Sequence, residues 1–380
     1  MKRLTGRMRL LFFTQKYPGK HNTTDYIFVK QLVDAMAGLG HECHVVAPYN
    51  ILHYMKYSKK HEVYQIGSGS VTVYRPYYLS FSDIKVFEKI AFASKRNAIR
   101  KAISRLPEGI DVAYGHFWRS AYEGYDYARN HNIPLFVATG ESNILDSFPS
   151  KPDITAFREY VRGVICVSTK NREESISNGL TEDSKCVVLP NAVDNKLFRK
   201  LSRQECRKTL KISQSVFVVA YVGWFIERKG VLRVSEAISR AKGATVYSLF
   251  IGDGEQTPKC NGILFKGKVS HEKLPLLLNA ADVFVLPTRQ EGCCNAIVEA
   301  MACGLPIISS DLPFNWDILD DSNSLLIDPN SIEDISTAIM TLRDDVIMRE
   351  RLGEGSLKKA SELTITKRAE SIVHFIKNSI

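Results

Sequence analysis

Residues 283–306 read Val283-Phe284-Val285-Leu286-Pro287-Thr288-Arg289-Gln290-Glu291-Gly292-Cys293-Cys294-Asn295-Ala296-Ile297-Val298-Glu299-Ala300-Met301-Ala302-Cys303-Gly304-Leu305-Pro306. The first four residues form a short apolar run that suits a buried strand, and Pro287, with no amide hydrogen for a ladder, ends it. A polar loop follows. A helical pattern then opens near Asn295 and is stopped by Gly304 and Pro306. Strand, loop and helix in this order make part of a βαβ unit, and the rhythm continues in both directions. Strands are expected over 217–222, 245–251, 263–266, 306–309 and 324–327, with helices over 231–240, 272–280, 332–344 and 346–352. The first half repeats the pattern, with strands over 9–14, 42–47, 71–74, 112–114, 135–139, 163–167 and 186–189 and helices over 26–39 and 87–106. Such alternation argues for parallel sheets covered by helices. The chain therefore reads as α/β, with two Rossmann-like doubly wound domains at 1–190 and 191–364. A last helix, 365–380, is expected to pack back on the first domain. Sheets of this kind bind ligands at the carboxyl ends of their strands, here in a central cleft that the two domains would face.

At 380 residues the chain is too long for one ordinary core, and 44% hydrophobic with 24% charged residues is a globular composition. No apolar run approaches the ~18 residues of a membrane span. The apolar stretch after Met1-Lys2-Arg3 is too short for a signal peptide and lacks a cleavage pattern, so a cytoplasmic location is expected. Eight scattered cysteines without a Cys-x-x-Cys pair read as reduced thiols. The net charge is +10, and residues 1–190 hold 26 Lys and Arg against 18 Asp and Glu, so most of the excess lies in the first half. That excess favours an anionic partner: nucleic acid, a membrane surface or a phosphorylated substrate.

Glu291 and Glu299 have seven residues between them, one in the loop and one on the helix. They cannot share a helix face as an acid–base pair, but they can touch different parts of one extended ligand lying across the helix start. The free amides and positive dipole end there suit a phosphate. A second loop, Val222-Gly223-Trp224-Phe225-Ile226-Glu227-Arg228-Lys229-Gly230, follows another strand and also offers backbone and cations to an anion.

The Glu-x7-Glu spacing followed by Ala-Met-Ala-x-Gly-x-Pro resembles the retaining glycosyltransferases of family 4, which have the GT-B fold. The resemblance implies transfer of a sugar from a nucleotide-diphosphate donor, most often a UDP- or GDP-sugar, to an acceptor hydroxyl. By position, Glu291 would sit by the donor sugar and Glu299 by the ribose, and the backbone of Gly292, Cys293, Cys294 and Asn295 would meet sugar and phosphate. Lys229 matches the lysine that grips the diphosphate. Trp224 stands where the family has an arginine, and Arg228 either replaces that cation or is a solvated side chain. Pro190-Asn191-Ala192-Val193-Asp194 resembles the inter-domain signature, and Gly252-Asp253-Gly254 the turn after the next strand. Val269 falls where the family places backbone against the base. In the first half, Gly19 matches the loop near the donor phosphate, and His116, read either as structural or as functional, the histidine near the donor sugar. Glu141 and Ser142 end another strand and could meet the acceptor. Retention needs no glycosidase-like carboxylate pair, and the departing diphosphate itself would help take the acceptor proton. The chain has no Asp-x-Asp triplet, so no metal and no cofactor beyond the co-substrate is expected.

Residues 84–106 interleave Ile84, Phe87, Ile90, Ala91, Ala98, Ala102 and Leu106 with Lys85, Lys89, Lys95, Arg96, Arg100, Lys101 and Arg105. This pattern suits either peripheral contact with anionic lipid at the inner membrane face or a helix packed on its own domain with a solvated side. Membrane contact would fit a lipid-linked acceptor. Nucleic acid is not expected as a partner, since no docking motif accompanies the charge. Two other readings stay open: a sugar-nucleotide epimerase-like isomerase, and a non-catalytic sugar-nucleotide-binding subunit.

Overall fold

The computed structural model describes residues 6–19, 23–52, 60–80, 88–144, 154–241 and 245–380. It divides into two compact units, Met1–Leu189 with Thr366–Ile380, and Pro190–Ile365.

The first unit is built on an eight-stranded sheet. In spatial order the strands are Cys186–Val188, Val161–Cys166, Leu135–Thr139, Val112–His116, Arg9–Phe13, Glu42–Val46, Gly69–Tyr74 and His61–Ile66, and only the last runs antiparallel. Leu11, Val45, Val112 and Val137 are fully buried, because helices cover such sheets on both faces and the central strands then read as continuous apolar runs. The edge strand His61–Ile66 alternates exposed and half-buried residues instead. Sequence reading passed over it for that reason, as it did the polar helices Trp118–Asn130, Thr169–Ser177 and Arg203–Leu210.

The second unit holds a six-stranded parallel sheet ordered Ile263–Gly267, Val246–Ile251, Phe217–Val222, Val283–Leu286, Ile307–Ser310 and Ser324–Ile327. Helices Val231–Arg240, Asn295–Ala302 and Ile332–Asp344 fall where periodicity places them, while Val346–Glu362 runs ten residues beyond its expected end. The helix Ile365–Asn378 belongs mainly to the first unit, where Phe375 packs against Phe136 with ring centroids 6.0 Å apart.

The basic segment forms a helix over Glu88–Ile103, and residues 84–87 lie outside the described residues. Its buried stripe keeps Ala98 and Ala102 of the expected one, gains Ile99 and Ile103, and loses Ile90, which is 63% exposed. Lys95 is also buried, and its ammonium donates to Glu123 (2.9 Å) and to Gln15. Lys95 is thus an internal ion-pair residue, not part of a solvated basic face.

Candidate active site

In the second unit the chain leaves Phe217–Val222 toward one side of the sheet and returns on the other side at Val283–Leu286. The carboxyl ends of these two neighbours form the switch point where loops diverge and leave a crevice. The loops that part there are 223–230 and 287–294.

Close backbone packing holds the first loop. The amides of Gly223 and Phe225 donate to the carbonyls of Ile251 (3.0 Å) and Asp253 (2.8 Å). A β-carbon on Gly252, whose φ is +150°, would lie 1.9 Å from the Gly223 carbonyl oxygen, so only glycine fits. A three-residue turn, Glu227–Lys229, then ends at Gly230 with φ +76°. A β-carbon at Gly230 would lie 2.8 Å from the Pro287 carbonyl, which places the two loops in contact. The Arg289 amide donates to the Arg228 carbonyl at 2.9 Å, tying them together.

Two cations converge on one carboxylate at this seam. Lys229 Nζ lies 2.6 Å and Arg228 NH1 2.7 Å from the same Oε1 of Glu291. The Thr288 hydroxyl donates to that oxygen at 3.3 Å, and Arg228 also donates to the Gln290 carbonyl. Burial works against the charge of Lys229, yet the Glu291 carboxylate beside it more than offsets this, and the lysine's pKa lies above the ordinary value. Two cations on one carboxylate leave a net positive charge for an anionic ligand. Trp224 is 61% exposed, with Lys268 Nζ 5.9 Å from its ring centroid.

The Asn295–Ala302 helix opens beside this cluster. Its N-cap, Cys294, makes no side-chain cap bond, and no acidic residue occupies the first turn. Burial pushes the Cys294 thiol up, so it stays neutral. The helix therefore keeps its positive end for a ligand. Asn295 Oδ1 is buried and has no partner among the described residues. Gly292 and Cys293 are buried in the approach, and Asn191 Nδ2 supports it by donating to the Cys293 carbonyl at 2.8 Å. That bond gives the Pro190-Asn191 motif its local task.

Glu299 is separately held. Its Oε1 lies 2.9 Å from His271 Nε2, and the His271 ring packs edge-on against Phe198 at 4.9 Å. Burial opposes protonation of His271, but the bond to Glu299 and its charge outweigh this and raise the pKa. Val269, half-buried, is two residues before His271 in the loop after Ile263–Gly267. Sequence reading missed His271; the signal within reach was its place two residues after Val269, which was expected to face the base.

In the first unit the corresponding switch point lies between Arg9–Phe13 and Val112–His116. Half-buried Gly19 lies in the loop after the former, and Arg75 NH2 anchors that loop by donating to the Pro18 carbonyl at 2.6 Å. His116 ends the latter. It is buried against Phe28 and Phe117, its Nδ1 has no partner among the described residues, and burial, with Arg368 nearby, pushes its pKa down to about 3. His116 is thus a neutral imidazole. Glu141 serves the next turn: it accepts from the Trp118 amide (2.8 Å), the Thr139 hydroxyl (2.7 Å) and the Gly140 amide (2.9 Å). Burial raises its pKa against those bonds. The bonds cap the Trp118–Asn130 helix and steady Phe117, a non-glycine residue at φ +79°. The Ser142 carbonyl accepts from Lys170 Nζ at 3.0 Å. Among the described residues no three His, Cys, Asp or Glu side chains are grouped to hold a metal ion, and no helix is long and apolar enough to cross a membrane.

Comparison with known proteins follows the same division. The family model of glycosyl transferases group 1 matches residues 202–359, and that of glycosyltransferase family 4 matches residues 27–197. The chain is 26% identical over 392 residues to the proposed teichuronic acid biosynthesis glycosyltransferase TuaC of Bacillus subtilis, covering 97% of each. It is 25% identical over 292 residues to the Escherichia coli UDP-Gal:alpha-D-GlcNAc-diphosphoundecaprenol alpha-1,3-galactosyltransferase, covering 70% of this chain and 74% of that one. Among solved structures it resembles sucrose-phosphate synthase from Thermosynechococcus elongatus, with a TM-score of 0.78, 18% identity, and coverage of 98% and 99%. It also resembles HepE of Anabaena, with a TM-score of 0.72, 17% identity, and coverage of 98% and 100%. These structural likenesses give the fold as GT-B. With both halves matched in order along its length, the chain belongs to the group 1, family 4 glycosyltransferases and is a glycosyltransferase.

Proposed function

We propose that the enzyme moves a sugar from a nucleotide-diphosphate donor, a UDP- or GDP-sugar, to an acceptor hydroxyl with retained anomeric configuration. The observation that carries this is the meeting of Lys229 and Arg228 on Glu291 at a switch point beside a helix start free of acidic residues. As the sugar–oxygen bond breaks, negative charge grows on the leaving diphosphate. Preorganised cations and amides stabilise that charge without reorganising, and in such sites one donor contributes about 10²–10³ in rate. Lys229, Arg228 and the amides near Asn295 take this part in place of a metal ion. Glu291 meets the sugar hydroxyls, Glu299 the ribose, and the Val269 backbone the base. His116, being neutral, offers a hydrogen bond to the sugar and not a charge. The leaving diphosphate accepts the acceptor's proton on the face it departs from, which leaves the anomeric configuration unchanged.

The names of the relatives point to an acceptor in envelope polysaccharide or glycolipid synthesis, a lipid-linked sugar among them. Such an acceptor places the enzyme on the cytoplasmic side, in peripheral contact with the inner membrane. Among the described side chains, the exposed cations on Glu88–Ile103 are Arg96, Arg100 and Lys101, with Asp126 pairing the first two. Changing these three to Glu should abolish sedimentation with anionic liposomes, and unchanged sedimentation would remove the membrane proposal. For the reaction, purified enzyme is incubated with candidate nucleotide sugars and a lipid-diphosphate sugar acceptor. The product's anomeric signal is then read by proton NMR. Retained configuration, lost with Glu291→Ala, is expected; an inverted product overturns the reading.

A further inference from the structure

At the opposite, amino-terminal edge of the first sheet lies a cavity of about 620 Å³ that the glycosyl-transfer chemistry does not use. Its floor is Gly6, Arg7, Gly40 and His41, where the strands Arg9–Phe13 and Glu42–Val46 begin. Its wall is one face of the Ile365–Asn378 helix, with Glu370, Val373, His374 and Lys377 at helical spacing.

The cations in this cavity outnumber the carboxylates. Among the described residues Lys377 has no carboxylate partner, and Arg7 reaches only Glu42, at 3.8 Å. Among the described residues Glu370 is the one acidic side chain in the lining. His41 is 4% exposed, and its Nδ1 accepts from the Met8 amide at 3.1 Å. The neutral ring therefore carries its proton on Nε2, which has no hydrogen-bond partner among the described residues and is open to the cavity. Burial keeps His41 neutral, and the like charges of Lys377 and Arg7 act in the same direction. An unpartnered donor on an otherwise buried ring beside two cations, in a space the size of an ordinary small-molecule pocket, fits an anion.

We propose that this cavity is a second ligand site, distinct from the donor site, for a small molecule carrying a phosphate group. Arg7 and Lys377 supply its counter-charge and His41 Nε2–H a hydrogen bond. The volume leaves room for more than the phosphate itself. Such a ligand would fasten the C-terminal helix, which reaches this unit only after the chain has built the second one, to the edge of the first sheet.

The test uses the full chain with 15N-labelled histidine rings, the His41 and His374 signals being assigned with His41→Gln and His374→Gln. Inorganic phosphate is titrated at constant ionic strength, with sodium chloride as balance. A saturable shift of the His41 ring is expected, unchanged in Lys229→Ala, which removes the donor-site cation, and at least about tenfold weaker in Arg7→Ala/Lys377→Ala. Both of the latter side chains are at the surface, and circular dichroism checks that the variant is folded. If it is not, Lys377→Gln alone serves, with a smaller but measurable weakening. No His41 shift, an equal shift with chloride, or a shift that survives loss of Arg7 and Lys377 would overturn the proposal. A shift lost only in Lys229→Ala would assign the effect to the donor site and overturn it equally.

Discussion

Glu291→Gln removes one charge while keeping the side chain's shape, and its consequence can be worked from the cluster it leaves. Lys229, with 9% of its side chain exposed, loses the carboxylate 2.6 Å away, and Arg228 loses its partner at 2.7 Å. Breaking a buried pair from one side costs about 3–5 kcal/mol. Arg228 is a third exposed and solvent shares its loss, so about 2–3 kcal/mol is expected here. For a unit of this size that lowers Tm by roughly 5–10 °C. Because the folded pKa of Lys229 is raised, its contribution is complete below the unfolded lysine value and fades only as pH rises through the higher folded one. The deficit should therefore be constant from pH 6 to pH 9. Two companion measurements separate the causes. Glu291→Gln/Lys229→Met, which buries no unpaired charge, should be more stable than Glu291→Gln alone. Inorganic pyrophosphate, a diphosphate without base or sugar, should raise the Tm of Glu291→Gln by more than that of the wild type, since it replaces the missing counter-charge. A Glu291→Gln protein as stable as wild type, or one that pyrophosphate stabilises less, would refute the reasoning.

Three further outcomes are expected. His271→Gln should lower the urea midpoint most near pH 6, because a histidine with a raised folded pKa contributes fully below about 6.5 and loses that contribution as pH rises through the folded value; an equal gap at pH 9 would show the pair with Glu299 to be inert. Gly252→Ala should cost about 2–4 kcal/mol in urea unfolding, as its β-carbon would collide with the Gly223 carbonyl. Glu141→Ala should cost about 1–3 kcal/mol by the same assay, through the unpaired amides of Trp118 and Gly140, with near-ultraviolet circular dichroism reporting the loosened Trp118 region.

The parallel cores were readable because doubly covered strands carry uninterrupted apolar runs, as in Leu10–Phe13 and Val283–Leu286. His61–Ile66 was not, since this edge strand alternates exposed and half-buried residues and fully buries none of them. The loops at the switch point of the second unit were legible from the spacing of Lys229, Glu291 and Glu299, whose chemistry is carried by side chains. The partners of those groups were not. His271 comes from a different loop, 28 residues before Glu299, and its role depends on a distance that one-dimensional spacing does not encode. Arg228, left open between ligand and solvent on sequence grounds, takes its place from a bond to the Arg289 amide. Glu141, read from its strand end as a residue that could meet the acceptor, also caps the Trp118–Asn130 helix through the Trp118 amide and ties its own turn through Thr139 and Gly140, partners that position along the chain does not disclose. In the basic helix the same limit falls on Lys95, whose partner Glu123 lies on another element.

The most direct test of the central claim is calorimetric titration of UDP, GDP and ADP, and of their sugars, against the wild type and Lys229→Ala. One nucleoside diphosphate should bind the wild type, and loss of the Lys229 charge should weaken it by about 10²-fold, in keeping with a desolvated charge-assisted contact. Equal affinity in the two proteins, or no binding by any of the nucleotides, would contradict the account.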